Sequence, residues 1–385
     1  MIATGNLRPA DENTGGSIRA INHLATRRTR RDSGRYCVGM TKRNGSWTSR
    51  DIAEAAGVSQ ATVSNVLNRP ALVAEETRVR VHAAIKRMNF VVNDSARTLR
   101  AGRSRTLGVI ALDLTNPFWG DVTRGVSDAA AARGYSVLLG SSGESREGEQ
   151  SLLRLFEEHR VDGVLVSSVD IDSPAIESLT RRGITVVLLD ELDNTGRYGS
   201  VSLDQAAGAR LVGEHLLSEG HRRIGFINVS HDIWWARERS RGLCEAIQRA
   251  NEDPAIVISE RTITTMTAQT AEPAVGALLS DAPDITAIFC VNDMVALGVL
   301  KKLRELGLSV PEDVSVVGFD DSYFAGLLSP ALTTVRQQPY RLGRTAAELA
   351  IKRNPGHSIE AVIYEPMLVV RESTRKLTPP TSRLG

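Results

Sequence analysis

The sequence has few cysteines, few aromatic residues and no long apolar run. Its 385 residues include three scattered cysteines, Cys37, Cys244 and Cys290. This pattern argues against a disulfide framework or a zinc site and predicts a reducing, cytoplasmic environment. No stretch approaches the ~18 consecutive apolar residues that a membrane span requires. The first forty residues lack the apolar segment of a signal peptide, so we expect no membrane partner.

Sequence motifs of common enzymes are also missing. No G-x-G-x-x-G fingerprint follows a predicted strand, and the chain has neither a Walker loop nor a G-x-S-x-G nucleophile elbow. Histidines and cysteines do not cluster with the spacing of metal ligands. We therefore expect no catalytic residue, no cofactor and no metal. An enzyme on an α/β fold is kept as the first alternative class.

Charge is distributed unevenly along the chain. Residues 1–105 contain 19 Lys/Arg and 8 Asp/Glu, whereas the remainder contains 28 and 37, and the net charge is +2. A basic N-terminal segment joined to an acidic body favours nucleic-acid binding, with a solvated basic tail as the alternative. Residues 1–46 lack an apolar period, which predicts a disordered basic extension. Met40 is a candidate for the true translation start.

The segment from Thr48 to Asn68 predicts two short helices joined by a tight turn. Thr48 or Ser49 can cap the first helix, Gly57 suits the left-handed conformation at its end, and Ser59 can cap the second helix. The predicted apolar faces are Ile52, Ala53 and Ala56 on the first helix and Val63 with Val66 or Leu67 on the second. This is the pattern of a helix-turn-helix, with an ordinary helical hairpin as the alternative.

In a helix-turn-helix, the start of the second helix contacts base edges in the major groove. The predicted DNA-binding residues of this segment are Thr48, Ser59, Gln60, Ala61, Thr62, Ser64, Asn65 and Asn68. Gln60 can bind adenine through both amide atoms, and Ala61 can contact a thymine methyl group. Ser59, Thr62 and the N-terminus of the helix suit a phosphate.

From Thr106 onward, apolar β-branched runs alternate with amphipathic segments. The predicted strands are LGVIAL, GYSVLLG, DGVLVSS, GITVVLLD, RIGFINV, AIFCVND and DVSVVGFD. The amphipathic segments between them include Val122–Arg133, Glu149–His159, Gly208–Glu219 and Val295–Leu306. This alternation predicts mainly parallel sheets covered on both faces, and about 280 residues suggest two lobes. Ligands of such sheets bind beyond the carboxyl ends of the strands.

The chain resembles the lac/galactose repressor (LacI) family. Its residues AEAAGVSQATVSNVLN are similar to the family pattern DVAxxAGVSxxTVSRVLN, and the likeness continues through a third helix, Glu75–Asn89, to about residue 375. The resemblance implies an all-α helix-turn-helix domain and a periplasmic-binding-protein-like (type I) α/β body of two lobes with parallel sheets. The implied boundaries are 47–92 for the DNA-binding domain, 93–102 for a hinge helix, 106–202 with 336–364 for the N-terminal lobe, 203–333 with 366–378 for the C-terminal lobe, and 379–385 for a tail.

The resemblance gives the hinge helix a role in DNA binding. It implies that the hinge forms on DNA and enters the minor groove together with the hinge of a second subunit. Leu99 aligns with the leucine wedge that parts a base step, and Arg97 and Arg100 are expected to lie against phosphates or the groove floor.

An effector site between the two lobes is also implied. The residues carried over are Asp113, Phe118 and Asp190 from the first lobe and Trp234, Arg239, Asn292 and Asp320 from the second. Arg239 and Asp320 would bind hydroxyl groups through charge-assisted hydrogen bonds. Phe118, with Trp234 or Trp235, would stack on an apolar sugar or base face, although the two tryptophans equally suit a lid or an interface. Asp204 and Asp293 are expected to cap helices instead.

Four residues depart from the family pattern. Val92 replaces a proline before the hinge, Ala74 replaces a serine that caps the third helix, and Asn65 replaces an arginine of the recognition helix. The missing cap weakens a helix by ~1 kcal/mol, and Asn65 is expected to alter base preference or remove a phosphate contact. Glu191 replaces an arginine after Asp190, so analogy does not indicate the effector.

The resemblance implies a sequence-specific repressor of genes for sugar or other small-metabolite catabolism. Its partners would be a palindromic operator in double-stranded DNA and a small-molecule effector, either a sugar, a sugar derivative or a nucleobase-like compound. The expected assembly is a homodimer or a tetramer on the nucleoid. A solute-binding protein of a transporter is the second alternative, but such a protein would need a signal peptide and would lack residues 47–100.

Overall fold

The structure is a computed structural model that describes residues 47–90, 103–193, 195–250, 256–352 and 360–377. The chain divides into two compact units, residues 1–92 and 93–385, and each is described by itself. The predicted N-terminal extension, the hinge helix with Arg97, Leu99 and Arg100, and the C-terminal tail lie outside the described residues.

The first unit is a small helical domain. Its helices are α1 (Ser49–Ala56), α2 (Gln60–Asn68) and α3 (Glu75–Met88), with a single 3-10 turn at Pro70–Leu72. The core consists of small and β-branched residues that face one another, namely Ile52, Ala53, Ala56, Val63, Val66, Val81 and Ala84. The predicted helix-turn-helix and third helix are confirmed, because the apolar period of each helix buries one narrow face.

Two largely parallel sheets form the framework of the second unit. The first contains β1 (Thr106–Ala111), β2 (Ser136–Ser141), β3 (Gly163–Val166), β4 (Thr185–Leu189), β5 (Gly199–Leu203) and β11 (Ala361–Tyr364), in the order β11-β5-β4-β3-β1-β2. The second contains β6 (Arg223–Asn228), β7 (Val257–Thr262), β8 (Ala287–Cys290), β9 (Ser315–Asp320), β10 (Thr333–Arg336) and β12 (Met367–Val369), in the order β12-β10-β9-β8-β6-β7. Only β12 of these described strands pairs antiparallel, with β10. The two-lobed α/β body is confirmed.

Helices cover both sheets. They are α4 (Pro117–Ala131), α5 (Arg146–Glu158), α6 (Pro174–Arg181), α7 (Gln205–Ser218), α8 (Trp234–Arg249), α9 (Ala268–Asp281), α10 (Asp293–Glu305) and α11 (Pro339–Lys352). Helix α4 packs closely on α11, where a Cβ atom added at Gly125 would lie 2.1 Å from the carbonyl oxygen of Tyr340. Helix α7 packs on α8 and contacts β10 and β12, so it belongs to the second lobe.

All seven predicted strands and the four predicted helices of the body are present, with shifted ends. The helix predicted from Val122 begins at Pro117, because Asn116 accepts a hydrogen bond from the Phe118 amide and proline suits the first helical position. Strand β7 has the sequence VISERT. It was not predicted, because its charged residues interrupt the run of apolar residues from which strands were predicted. No helix in the described ranges is long and apolar enough to cross a membrane.

Candidate functional site

Hydrogen bonds between nearby residues fix the positions at which the first two helices begin. Thr48, rather than Ser49, caps α1: its Oγ1 accepts from the Asp51 amide at 3.4 Å, and the Asp51 carboxylate accepts from the Thr48 amide at 2.7 Å. Gly57 adopts φ 64° and ψ 41° at the end of α1, as the sequence predicted. Ser59 Oγ accepts from the Thr62 amide at 3.0 Å at the start of α2. The turn geometry of a helix-turn-helix is therefore present.

The start of α2 presents polar and small side chains to solvent. Gln60, Ala61 and Asn65 are exposed on the face opposite Val63 and Val66. The Gln60 side-chain amide Nε2 donates to Ser49 Oγ at 2.7 Å, so it lies over the first turn of α1. The amide retains its carbonyl oxygen and a second N–H for another partner.

The other two DNA-binding candidates of α2 lie toward its C-terminal end. Ser64 is partly exposed, and the Asn68 side-chain amide donates to the Ser64 carbonyl oxygen at 2.8 Å. Helix α3 begins at the N-cap Ala74 without a side-chain hydrogen bond, as expected from the missing serine.

Polar residues that follow the strands of both sheets meet between the two lobes. Asp190 directly follows β4 in the first lobe, whereas Gln205 and Arg239 lie on α7 and α8 of the second. Gln205 Nε2 donates to Asp190 Oδ1 at 2.6 Å, and Arg239 Nε donates to Gln205 Oε1 at 2.9 Å. One glutamine therefore links a carboxylate of the first lobe to a guanidinium of the second.

Asp320 forms the second part of this interlobe cluster. Gln337 Nε2 donates to Asp320 Oδ1 at 2.7 Å, and Asn116 Nδ2 of the first lobe donates to Asp320 Oδ2 at 3.4 Å. Asp190 and Asp320 have positive φ angles of 56° and 118°. Non-glycine residues rarely adopt such angles, and strain of this kind concentrates at ligand sites.

Arg239 is the buried cation of the cluster, with 3% of its surface exposed. Its guanidinium lies 3.7 Å from the centroid of the Phe319 ring and 4.8 Å from that of Trp235, and its Nη1 donates to the Val291 carbonyl oxygen. Burial lowers the pKa of Arg239, against the attraction of Asp320 and Asp190.

The carboxyl groups of the cluster have raised pKa values. Burial raises the pKa of Asp190 to about 7, with Arg239 opposing and Asp320 adding to the rise. Burial likewise raises the pKa of Asp320 to about 6, against Arg239 and the hydrogen bonds from Gln337 and Asn116. The cluster thus contains groups that change charge near neutral pH, which is a frequent property of functional sites.

The remaining first-lobe candidates come after β1, Asp113 in the loop and Phe118 in the first turn of α4. The Asp113 carboxylate accepts from the Thr115 amide and hydroxyl at 2.8 and 2.6 Å, so it stabilises a local turn. Phe118 is buried and packs edge-on against Trp119, with 5.1 Å between ring centroids. Among the second-lobe candidates, Trp234 is partly exposed at the start of α8.

The expectation that Asp293 caps a helix is wrong, whereas Asp204 does cap α7 through the Ala207 amide. Asn292 caps α10 by accepting from the Val295 amide at 2.8 Å. Asp293 is instead fully buried and accepts from the Ser322 amide and the Thr334 hydroxyl at 2.7 and 2.6 Å. Since Asn292 already occupies the cap position, Asp293 points into the second lobe.

Gln205, Gln337, Asn116 and Glu149 were not identified as site residues from the sequence. Gln205 and Gln337 follow strands at the carboxyl edges of the sheets, where ligands of parallel sheets bind, whereas Asn116 precedes α4 and Glu149 lies in the first turn of α5. That positional signal could have found Gln205 and Gln337, which come one or two residues after β5 and β10.

A helix-turn-helix domain followed by a two-lobed α/β body with a buried polar interlobe cluster defines a class: DNA-binding regulators with a ligand-binding body. The model of the bacterial regulatory proteins of the lacI family matches residues 48–93, and that of the periplasmic binding protein-like domain matches residues 213–374. The HTH-type transcriptional repressor PurR of Aliivibrio salmonicida (strain LFI1238) is 31% identical over 335 residues, or 86% of this chain and 99% of PurR. The chain belongs to the LacI family of bacterial regulatory proteins.

Solved structures agree with this assignment. The lac repressor dimer bound to operator and the anti-inducer ONPF superposes with a TM-score of 0.75 at 27% identity, covering 86% of this chain and 99% of that one. The transcriptional regulator CelR in complex with cellobiose gives a TM-score of 0.63 at 31% identity, covering 85% and 99%. The predictions of a DNA-binding transcription repressor and of a chain that is not an enzyme are confirmed by these relatives.

Proposed function

We propose that this chain binds a palindromic operator as a homodimer and releases or strengthens that binding when a small-molecule effector occupies the interlobe cluster. The observation that carries the proposal is the hydrogen-bonded path from Asp190 through Gln205 to Arg239. Buried polar groups are unfavourable unless they are satisfied. A path of this kind between two lobes can exchange its internal bonds for bonds to a polar ligand.

The DNA-binding part of the proposal assigns base contacts to Gln60, Ala61 and Asn65, which are exposed at the start of α2. Contacts to phosphates or flanking bases are assigned to Thr48, Ser59, Thr62, Ser64 and Asn68. The hinge residues Arg97, Leu99 and Arg100, outside the described residues, are proposed for the minor groove. The basic charge of residues 1–105 supports an interaction with DNA.

Exposed apolar surface in both lobes supports the homodimer. Leu138 and Leu139 are exposed on β2, the edge strand of the first sheet. Tyr323 and Leu327 in the second lobe are each 78% exposed. Exposed large apolar side chains of this kind are candidates for an association site, because association surfaces expose apolar side chains. Two-fold symmetry of the protein would then match a palindromic operator; a tetramer is the second candidate assembly, and a cytoplasmic location on the nucleoid is part of the proposal.

For the effector we propose contacts with Asp113, Phe118, Asp190, Trp234, Arg239, Asn292 and Asp320. Asn292 and Asp320 come from strand ends of the second lobe, and Asp190 comes from a strand end of the first. CelR, a solved structural relative, contains cellobiose, and other relatives carry the name PurR. Either a sugar-like or a nucleobase-like effector therefore fits the family. The predicted lobe boundaries stay predictions.

Control of DNA binding would follow from differential binding of the effector to two arrangements of the lobes. An effector that binds one arrangement more tightly shifts the population toward it, and DNA binding shifts with that population. The direct interlobe bonds, Asn116 to Asp320 and Gln205 to Asp190, are the contacts that such a change would alter.

The DNA-binding proposal is tested with fluorescence anisotropy on DNA that flanks the gene for this chain, against random DNA at the same salt concentration. We expect specific binding at least ~10³-fold tighter than random binding. Gln60→Ala should reduce that ratio by roughly tenfold or more. Gln150→Ala, the same substitution at an exposed site on α5, should leave it unchanged. Equal affinity for the flanking and random DNA would refute the proposal.

A further inference from the structure

Five carboxyl groups form what we call the acidic line: Glu149, Glu191, Asp190, Asp320 and Asp293. Four of them are buried, whereas Glu191 is partly buried. Burial is the main cause of every raised pKa in this line. Repulsion from Glu149 and Asp190 adds to the rise at Glu191, and repulsion from Asp320 adds to the rise at Asp190 and Asp293. The line is therefore electrostatically continuous across the two lobes.

Positive charge does not balance this line. Arg239 is the buried arginine among the described residues, against four buried carboxyl groups. Arg237 lowers the pKa of Glu191 and Arg146 lowers that of Glu149, but both arginines are exposed to solvent. Burial and repulsion still raise the pKa of Glu191 to about 8. The acidic line therefore has more negative charge and more hydrogen-bond acceptors than the nearby arginines balance. A proton or a bound cation can compensate for this excess.

Hydrogen bonds satisfy most of these carboxyl groups but leave Glu191 open. Glu149 accepts from the Ser168 hydroxyl at 3.1 Å and from the Val169 amide at 2.8 Å. Within the part of the chain that the structure describes, no residue donates a hydrogen bond to Glu191.

A buried acceptor without a partner provides an independent indication of a ligand. Gln337 is 1% exposed; its Nε2 donates to Asp320 Oδ1, and its Oε1 has no partner among the described residues. The hydrogen bond to Asp320 fixes which side of the amide is the acceptor, because the opposite orientation would oppose two oxygens. The Asn292 Nδ2 atom is likewise buried without a partner. A buried acceptor and a buried donor, each near a strand end of the second lobe, therefore lack a hydrogen-bond partner among the described residues, and a ligand could supply both.

We propose that the effector of this chain is an amino sugar whose protonated amine is bound by the acidic line, with Gln337 Oε1 as a further acceptor. A primary ammonium has three donors and no acceptor, which matches a site with surplus acceptors. The sugar hydroxyl groups bind Arg239 and Asn292 Nδ2. Phosphate esters and uronates are disfavoured, because they would add negative charge beside the five carboxyl groups of the acidic line. This inference rests on the proposed function.

The test compares each amine with its neutral parent and its phosphate ester by calorimetry and thermal shift of the full chain. The probes are D-glucosamine, D-galactosamine and D-mannosamine, the corresponding hexoses, and the hexose 6-phosphates. We expect at least one amine to bind about tenfold more tightly than its parent, with no binding of the phosphates. Binding at pH 7 should release protons, because a cation lowers the raised pKa values of Glu191 and Asp190.

Glu191→Gln should reduce the preference for the amine to within about twofold of the parent sugar. Glu158→Gln, which removes the same charge at an exposed position of the same lobe, should retain it. The inference is overturned if no amine exceeds its parent, including the case in which none of the probes binds, or if both variants behave alike. Specific operator binding that responds to a neutral ligand would refute the amino-sugar effector and leave the proposed function intact. A chain that binds the flanking DNA no more tightly than random DNA would refute the proposed function itself.

Discussion

The helix-turn-helix domain and the interlobe cluster position polar side chains in opposite ways. In the domain, hydrogen bonds join residues 3 to 11 positions apart, such as Ser59 to the Thr62 amide and Gln60 to Ser49, and the polar side chains remain exposed. In the cluster, the Asn116–Asp320 bond joins residues 204 positions apart, and every partner is buried. A face for DNA can therefore form locally, whereas a ligand site needs two lobes to fold first.

The largest expected effect follows from removing the buried cation. Arg239→Leu should lower the free energy of unfolding of the body by about 3–5 kcal/mol, since Asp190 and Asp320 lose their buried counter-charge. Arg237→Leu, on an exposed arginine of the same helix, should change it by less than about 0.5 kcal/mol. Urea unfolding of both variants measures this difference. Equal effects would contradict a special role for the buried site.

The core of the DNA-binding domain gives the next largest effect. Ile52 is fully buried, so Ile52→Ala should destabilise this small domain by about 2–4 kcal/mol and abolish operator binding. Ligand binding to the body should persist. Leu72→Ala, at a side chain 72% exposed, is the control and should retain operator binding. Loss of ligand binding and DNA binding together in Ile52→Ala would contradict the expectation that the body folds without the DNA-binding domain.

The raised pKa values of the buried carboxyl groups predict that the free energy of unfolding depends on pH. Asp190 has an ordinary pKa of 3.8 when unfolded and about 7 when folded. Between these values the folded state binds the extra proton. The free energy of unfolding that this proton adds is therefore fully present below about pH 4. It declines as the pH rises toward 7, by up to ~1.4 kcal/mol per pH unit. Asp190→Asn should flatten the pH profile of urea unfolding relative to Glu158→Gln. Identical profiles would contradict the raised pKa.

A cap restored on α3 should produce the smallest effect. Ala74 adopts an extended backbone before α3 and makes no side-chain cap. Ala74→Ser should therefore stabilise the DNA-binding domain by about 0.5–1 kcal/mol. Ala83→Ser, at an exposed position in the middle of the same helix, should give no such gain. Thermal melts of the two variants monitor the change, and a gain at Ala83 alone would contradict the capping argument.

Local features could be predicted from the sequence for a physical reason. The left-handed Gly57, the caps at Ser59 and Asp204, and the seven apolar strands depend on neighbours within a few residues. The choice of Thr48 over Ser49 and of Asn292 over Asp293 could not be predicted, because adjacent polar residues compete for one cap.

The interlobe bonds were beyond prediction from the sequence alone. Arg239, Asp190 and Asp320 were identified through family resemblance, but Gln205 and Gln337, which join them, were not. Both glutamines follow short strands, β5 and β10, that contain too few consecutive apolar residues to be predicted from the sequence. Their roles depend on the pairing of two lobes, which a one-dimensional pattern does not contain.

Control of DNA binding by a ligand in the interlobe cluster is tested by operator affinity, measured by anisotropy at fixed salt with and without a saturating ligand that raises the melting temperature of the chain. We expect the ligand to change the operator affinity by roughly 5- to 150-fold in one direction. We expect no such change for Arg239→Lys, because lysine lacks the bidentate geometry of the guanidinium. A ligand that stabilises the chain yet leaves its operator affinity unchanged would show that the interlobe cluster does not control DNA binding.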